Sequence, residues 1–276
     1  MKKLHLKRYR FSLVFSAFVL GPVLFITLFG ALIAPHDPYL ISQDTILKGS
    51  SMQYLLGTDE FGRDILSRLL IGISPTMKIA VTSTLFAGGF GIGAGLLAVY
   101  KGGLTEFLIM RSGDIMLSFP PILLTLLAVS FWGGGILSLT VTISILYIPH
   151  FARVTHAAAS QVIGLDYVEA ERSAGAGALR IIFKVILPNI TSPLMVQASL
   201  TMVAAILLES GMSFLGLGIV PPEPSWGQMI GTARNYLAQN PMYAFWPSSC
   251  LAATILAINF VGDGLRDILD PVKTVK

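Results

Sequence analysis

Asp166-Tyr167-Val168-Glu169-Ala170-Glu171-Arg172-Ser173-Ala174-Gly175, running on to Leu187-Pro188, is a polar island between two long apolar stretches. Asp166 stands where it can cap a helix, and Glu169 follows three positions later in a capping-box arrangement. Ala170, Ala174, Gly175, Ala176, Gly177 and Ala178 leave the segment almost without side-chain bulk. Such a helix suits a groove on another protein, because its backbone can approach closely. The same composition also fits an ordinary loop between membrane spans.

The flanking sequence is oily throughout. Of 276 residues, 54% are hydrophobic and only 12% are charged. Mean hydropathy is +0.74. Soluble domains carry about 25% charged residues, so half that share argues for an all-α polytopic membrane protein. The formal charge of +4 does not point to nucleic acid, because the basic residues scatter through short loops with no aromatic-interleaved patch. Cys250 is the only cysteine and lies in an apolar run, where it reads as a small buried hydrophobe.

Taken in order, the chain predicts six spans. Residues 1–34 hold a basic start and a first span. The uncharged run from Phe11 to Pro35 would make a helix about 37 Å long, enough to cross a bilayer with some tilt. It is too long for a signal-peptide core, so the span is expected to stay uncleaved. Residues 35–77 read as a polar extracytoplasmic loop. Residues 78–276 read as a core with five more spans, including a segment over 154–190 that faces the cytoplasm. The second span, Lys78 to Tyr100, carries Gly88, Gly89, Gly91, Gly93 and Gly95. These glycines have no strand–turn–helix context, so they predict close helix packing rather than a phosphate loop.

Residues 115–149 are uncharged, and as one helix would run roughly 52 Å, too long for one crossing. The break is expected at Trp132-Gly133-Gly134-Gly135. It separates a third span, Glu106 to Ser130, from a fourth, Ile136 to Arg153. Pro120 and Pro121 predict a kink in the third span. Arg111 and Asp114 predict a pair on one helix face. The fifth span is Ser192 to Ser213 and the sixth Ala244 to Val261.

Orientation follows from Lys and Arg. With a cytoplasmic N-terminus, inside segments hold fourteen and outside segments hold Lys48, Arg63, Arg68 and Arg234, with Lys78 at a boundary. That asymmetry places both termini, and the island, in the cytoplasm.

Glu169-Ala170-Glu171, Gly175 and then Val185-x-Leu187-Pro188 resemble the EAA signature of ATP-binding-cassette (ABC) importer permeases. Glu171 stands where the signature has a second Ala, and Val185 where it has Ile. Leu56-Gly57-Thr58-Asp59, Gly62-Arg63-Asp64 and Ser67-Arg68 resemble the peptide and nickel branch of that family. So do Glu209 to Trp226, with Pro221-Pro222-x-Pro224, and Asn259 to Pro271. Ser74-Pro75-Thr76 departs from the pattern, since relatives often place an Arg before the Ser.

The resemblance implies a type I importer permease fold in a bacterial inner membrane. It implies a second homologous permease subunit, two ABC ATPase subunits and an extracytoplasmic binding protein as partners. It also implies that Asp166, Glu169, Ala170, Gly175, Leu187 and Pro188 belong to the segment that docks on the ATPase. Substrates would be di- or oligopeptides, or nickel as a chelate. The chain has no Walker motif. ATP and Mg are therefore expected on the partners, with no cofactor held here.

Glu209 is the one acidic residue far along the fifth span, roughly 27 Å from Ser192 and so near the outer interface. It reads either as part of an outer gate or as a solvated helix-end carboxylate. His36, His150 and His156 match no metal-ligand spacing. A secondary transporter is the rival reading. It would show internal repeats and ionisable groups near the midplane, whereas charges here cluster at span ends.

Overall fold

The computed structural model describes residues 2–269, and side chains over 16–265. Asp270, Pro271, Lys273 and Lys276 lie outside the described residues. Helices α1 (Lys2–Ile33), α2 (Ile65–Lys101), α3 (Gly103–Leu117), α4 (Pro121–Trp132) and α5 (Ile136–Ile163) lead to a short α6 (Asp166–Ser173). Then come α7 (Ala178–Arg180), a π-helical stretch Ile181–Ile186, α8 (Leu187–Asn189), α9 (Thr191–Phe214), α10 (Trp226–Ala233) and α11 (Pro241–Leu269). The described residues contain no strand beyond an isolated bridge between Thr58 and Asp64.

Among the described residues, five helices are long and apolar enough to cross a membrane: Ser16–Ile33 of α1, all of α2, α5 and α9, and Pro241–Leu265 of α11. The α3–α4 pair is bent by 87°. The proline pair therefore breaks the expected third span outright rather than kinking it. Pro121 begins α4 with no N–H to offer α3, and the residue before a proline is pushed out of the helical region. At about 22 Å and 18 Å, neither half crosses the roughly 30 Å of hydrocarbon alone. The predicted break after Trp132 is present, with Gly133 and Gly135 at positive φ.

α2 begins at Ile65, well before the uncharged run that starts after Lys78. Asp64 caps it by accepting the N–H of Ser67 at 3.0 Å. A 37-residue helix is about 55 Å long, longer than the roughly 30 Å of hydrocarbon, and its first turns bond to the loop residues His36 and Pro38. Polar Ser67 and Arg68 made those turns look like loop in the sequence.

α2 and α5 form the most extensive helix pair. Gly88 faces Phe151, Gly91 faces Phe151, Ile148 and Ala152, and Gly95 faces Ala152 and Thr155. The partners advance together, so the two helices run parallel. A Cβ on Gly95 would sit 2.6 Å from the Ala152 carbonyl oxygen, so only glycine lets the backbones meet. Gly88, Gly91 and Gly95 thus show the close packing expected of the glycine run, whereas Gly89 and Gly93 meet nothing in this chain. α9, α10 and α11 pack on the other flank of α2, and α1 lies against α2 and α11.

Two cores result. The larger links α2, α5, α9, α10 and α11 through residues such as Ile73, Met77, Ile143, Phe151, Ile206 and Tyr243. The smaller joins Leu96, Ala159, Val168, Ile181, Ile186, Ile190 and Leu194. It sits at the end of the bundle where α2 and α5 finish. The bundle thus has an elbow end, carrying α6–α8, and a loop end, carrying residues 34–64 and 215–240.

Candidate coupling elbow and buried carboxylate

α6 projects from the elbow end and is footed by one residue. Val168 is fully buried in the small core, while Asp166, Tyr167, Glu169, Ala170 and Arg172 are exposed. The helix starts differently from the sequence expectation. Leu165 is the N-cap residue, and its carbonyl accepts from Val168 and Glu169. Asp166 is therefore the first helical residue and makes no side-chain cap, so the capping box is not formed. Its carboxylate still favours the positive end of the helix dipole. Glu169 instead lies 3.4 Å from Arg172 on the exposed face.

The helix ends in a Schellman motif. The Gly175 N–H donates to the Arg172 carbonyl and the Ala176 N–H to the Glu171 carbonyl, both at 3.0 Å. Gly175 has φ +83°, with open space where a Cβ would stand. Its glycine is thus fixed by backbone conformation, not by crowding within this chain. Glu171 turns back to Arg180 at 3.4 Å and ties α6 to α7.

Beyond α7 the chain widens into the π-helical stretch, where the Leu187 N–H reaches Ile182. Pro188 has no N–H to continue the ladder, and the Asn189 side-chain amide donates to the Val185 carbonyl at 2.6 Å. Leu187 packs partly against the small core, whereas Pro188 is exposed. Asp166, Glu169, Ala170, Gly175 and Pro188 thus share one exposed elbow.

Glu209 lies near the far end of α9 and is fully buried. The solvated-carboxylate reading is therefore wrong. Thr76 of α2 and Ser213 each donate to it at 2.7 Å, and Ser210 donates at 3.2 Å. Ser225, at the entrance to α10, lies beside the same group. Ser213 also accepts the Ile219 N–H at 3.1 Å. One carboxylate therefore joins α2, α9 and the loop leading to α10.

The loop end is knotted by charge. Asp59 accepts the N–H groups of Phe61 and Arg63 at 2.9 Å and pairs with the Arg63 side chain at 2.6 Å. Arg68 lies 3.4 Å from Asp59 and donates to the Pro38 carbonyl at 3.1 Å. Tyr243 of α11 donates to Glu60 at 2.8 Å. Trp226 donates to the Leu69 carbonyl at 2.9 Å and fastens α10 to α2. The Asp59, Arg63, Asp64 and Arg68 motif is thus a structural clasp.

A family model described as "binding-protein-dependent transport system inner membrane component" matches residues 87–274. The chain belongs to this family. It is 41% identical over 255 residues to the di/tripeptide transport system permease protein DppC of Pseudomonas aeruginosa, covering 90% of this chain and 84% of that one. It is 40% identical over 255 residues to the dipeptide transport system permease protein DppC of Escherichia coli K12, covering 90% and 85%. Among solved structures, a chain of the inward-facing MetNI methionine ABC transporter matches with a TM-score of 0.61 at 22% identity. That likeness covers 73% of this chain and 95% of that one, and it bears on the fold alone. The chain is an ABC importer permease, a multi-pass inner-membrane component. Its relatives are transport permeases, not enzymes, and the secondary-transporter reading is not favoured.

In this permease His36, His150 and His156 are dispersed. His36 lies 3.4 Å from Asp64, His156 lies 2.8 Å from Glu106 of α3, and His150 stacks on Tyr147. The expected Arg111–Asp114 pair forms at 3.2 Å. Arg153 of α5 joins it at 2.6 Å, a partner that sequence spacing could not supply. The hydroxyls around Glu209 were partly legible: Ser213 follows one helical turn later. Thr76, which is 133 positions away, was not.

Proposed function

We propose that this permease forms half of the translocation pathway of an ATP-driven importer for di- and oligopeptides. Its partner is a second, homologous permease subunit. Two ABC ATPase subunits, which hold ATP and Mg, dock on α6 and its flanks. An extracytoplasmic binding protein delivers substrate to the loop end. The relatives reported above are named for peptides, so peptide is favoured over nickel. The bent α3–α4 pair serves as the third of six spans, and both termini face the cytoplasm.

The observation that carries this reading is the footing of α6. An exposed, charged helix that swung freely could not push on the membrane core. Here Val168 joins α6 to Leu96 of α2 and Ala159 of α5, and Glu171–Arg180 holds the returning chain. A displacement applied to α6 is delivered to the ends of α2 and α5. ATP-driven closure of the ATPase pair supplies that displacement, and the spans alternate between inward- and outward-open. At the loop end Glu209 makes α2, α9 and the α10 entrance move together, which suits an outer gate.

The test separates conformation from bulk at Gly175. Asn tolerates the left-handed region, whereas a β-branched residue there costs about 1–2 kcal/mol. Gly175→Asn is expected to keep the ATPase subunits bound in mild detergent and to keep peptide-stimulated ATP hydrolysis. Gly175→Val is expected to lose both with membrane insertion intact. If the wild-type permease carries no ATPase subunit and peptide uptake survives ATP depletion, the proposed function fails.

A further inference from the structure

α2 carries a single formal charge between Arg68 and Lys101, and that charge is Lys78. The side chain is exposed. At the outer boundary of a membrane helix a lysine extends its ammonium to water or to a partner. Lys78 opens on a small cavity at the loop end. Tyr39, Ser74, Lys78, Ile136, Glu223 and Pro224 line it. Ile136 is the first residue of α5, so the cavity lies level with the outer end of that span. Thr76, half a turn from Lys78 on α2, holds the Glu209 hub. The cavity wall is therefore part of the unit that the hub ties together.

The second charge in this cavity is Glu223, also exposed. Among the described residues, neither Lys78 nor Glu223 forms an ion pair. By contrast, Asp59, Glu60, Arg63 and Arg68 at this end are matched with one another. One unmatched cation and one unmatched anion thus face a single space of about 110 Å³. Hydroxyls from Tyr39 and Ser74 stand beside them.

We infer that this cavity is a station for zwitterions at the outer mouth of the pathway, where Lys78 receives the terminal carboxylate of an incoming short peptide and Glu223 its terminal ammonium. A dipeptide carries those two charges across the ~7 Å that two extended residues span. The assignment rests on the peptide reading proposed above and adds to it a requirement for free termini. Charge-assisted hydrogen bonds to a carboxylate are the strong ones, and a lysine supplies them without the fixed geometry of an arginine. The permease then takes part in choosing substrate after the binding protein has released it.

Reconstituted transporter in proteoliposomes, with saturating binding protein, tests this. The probes are alanylalanine and its C-terminal amide, each first shown to load the binding protein. Lys78→Gln is expected to lower alanylalanine uptake about tenfold or more, with binding-protein-stimulated ATP hydrolysis retained. Lys78→Arg should restore uptake. For the amide, wild type and Lys78→Gln should be alike, and Glu223→Gln should lower uptake of both probes. Alanylalanine uptake by Lys78→Gln within twofold of wild type overturns the inference while leaving peptide transport standing. So does a loss that Lys78→Arg does not rescue. Absence of peptide uptake by the wild type itself overturns the peptide reading, and the ligand assigned to this cavity falls with it.

Discussion

Glu209 shows how a single side chain can be ionisable, buried and still tolerated. Its carboxylate is removed from water but receives donors from Thr76, Ser210 and Ser213. Buried polar groups are stable when their partners are present and costly when a partner is deleted. Glu209→Ala strands those hydroxyls, so stability should fall by about 3 kcal/mol, seen as earlier thermal unfolding of the detergent-solubilised complex. Glu209→Gln preserves volume but alters the donor balance. We expect it to reduce transport about tenfold with basal ATP hydrolysis retained, measured on the reconstituted complex. Unchanged transport and unchanged basal hydrolysis would overturn the proposed gate role of Glu209.

Between elements, the α2–α5 seam sets the fold. The glycines of α2 divide into two faces. Gly91 and Gly95 meet α5, while Gly89 and Gly93 have nothing within 4 Å. Overpacking a closed seam costs about 1–3 kcal/mol. An open helical glycine replaced by alanine gains up to about 1 kcal/mol. Gly95→Ala is therefore expected to lower the thermal stability of the purified chain, and Gly93→Ala to leave it unchanged or raise it. Equal effects would mean that α2 and α5 are not in register as described. The α3–α4 bend belongs to this scale too. Consecutive prolines announced a disturbance, but its angle depends on what the second half packs against, here α5 and α9.

For the whole molecule, orientation is the property that the coupling scheme needs. Met52 at the loop end is 99% exposed, and Ser173 at the elbow end is exposed. In a chain carrying Cys250→Ala, a membrane-impermeant maleimide should label Met52→Cys in intact cells. Ser173→Cys should be labelled only after permeabilisation. The reverse pattern inverts the chain and removes the elbow from the ATPase. Should the orientation hold, the small core beneath α6 and the hub at Glu209 lie at opposite ends of α2. Under the proposed coupling, that one helix links the motor to the mouth.

By itself, the sequence determined the class of protein, the helix-forming runs, the break after Trp132 and the exposed segment from Asp166 to Pro188. These follow from local composition, hydropathy and the spacing of glycine and proline, which act through neighbours along the chain. It did not determine that Leu165 rather than Asp166 caps α6, that α2 extends back to Ile65, or that Glu209 is fully enclosed. Those depend on side chains that meet only once the chain has folded: Thr76 on Glu209, Asp59 on Arg68, Leu96 beside Val168. A side chain's burial and its hydrogen-bond partners are set by which helices meet and at what height, and only the tertiary structure fixes both.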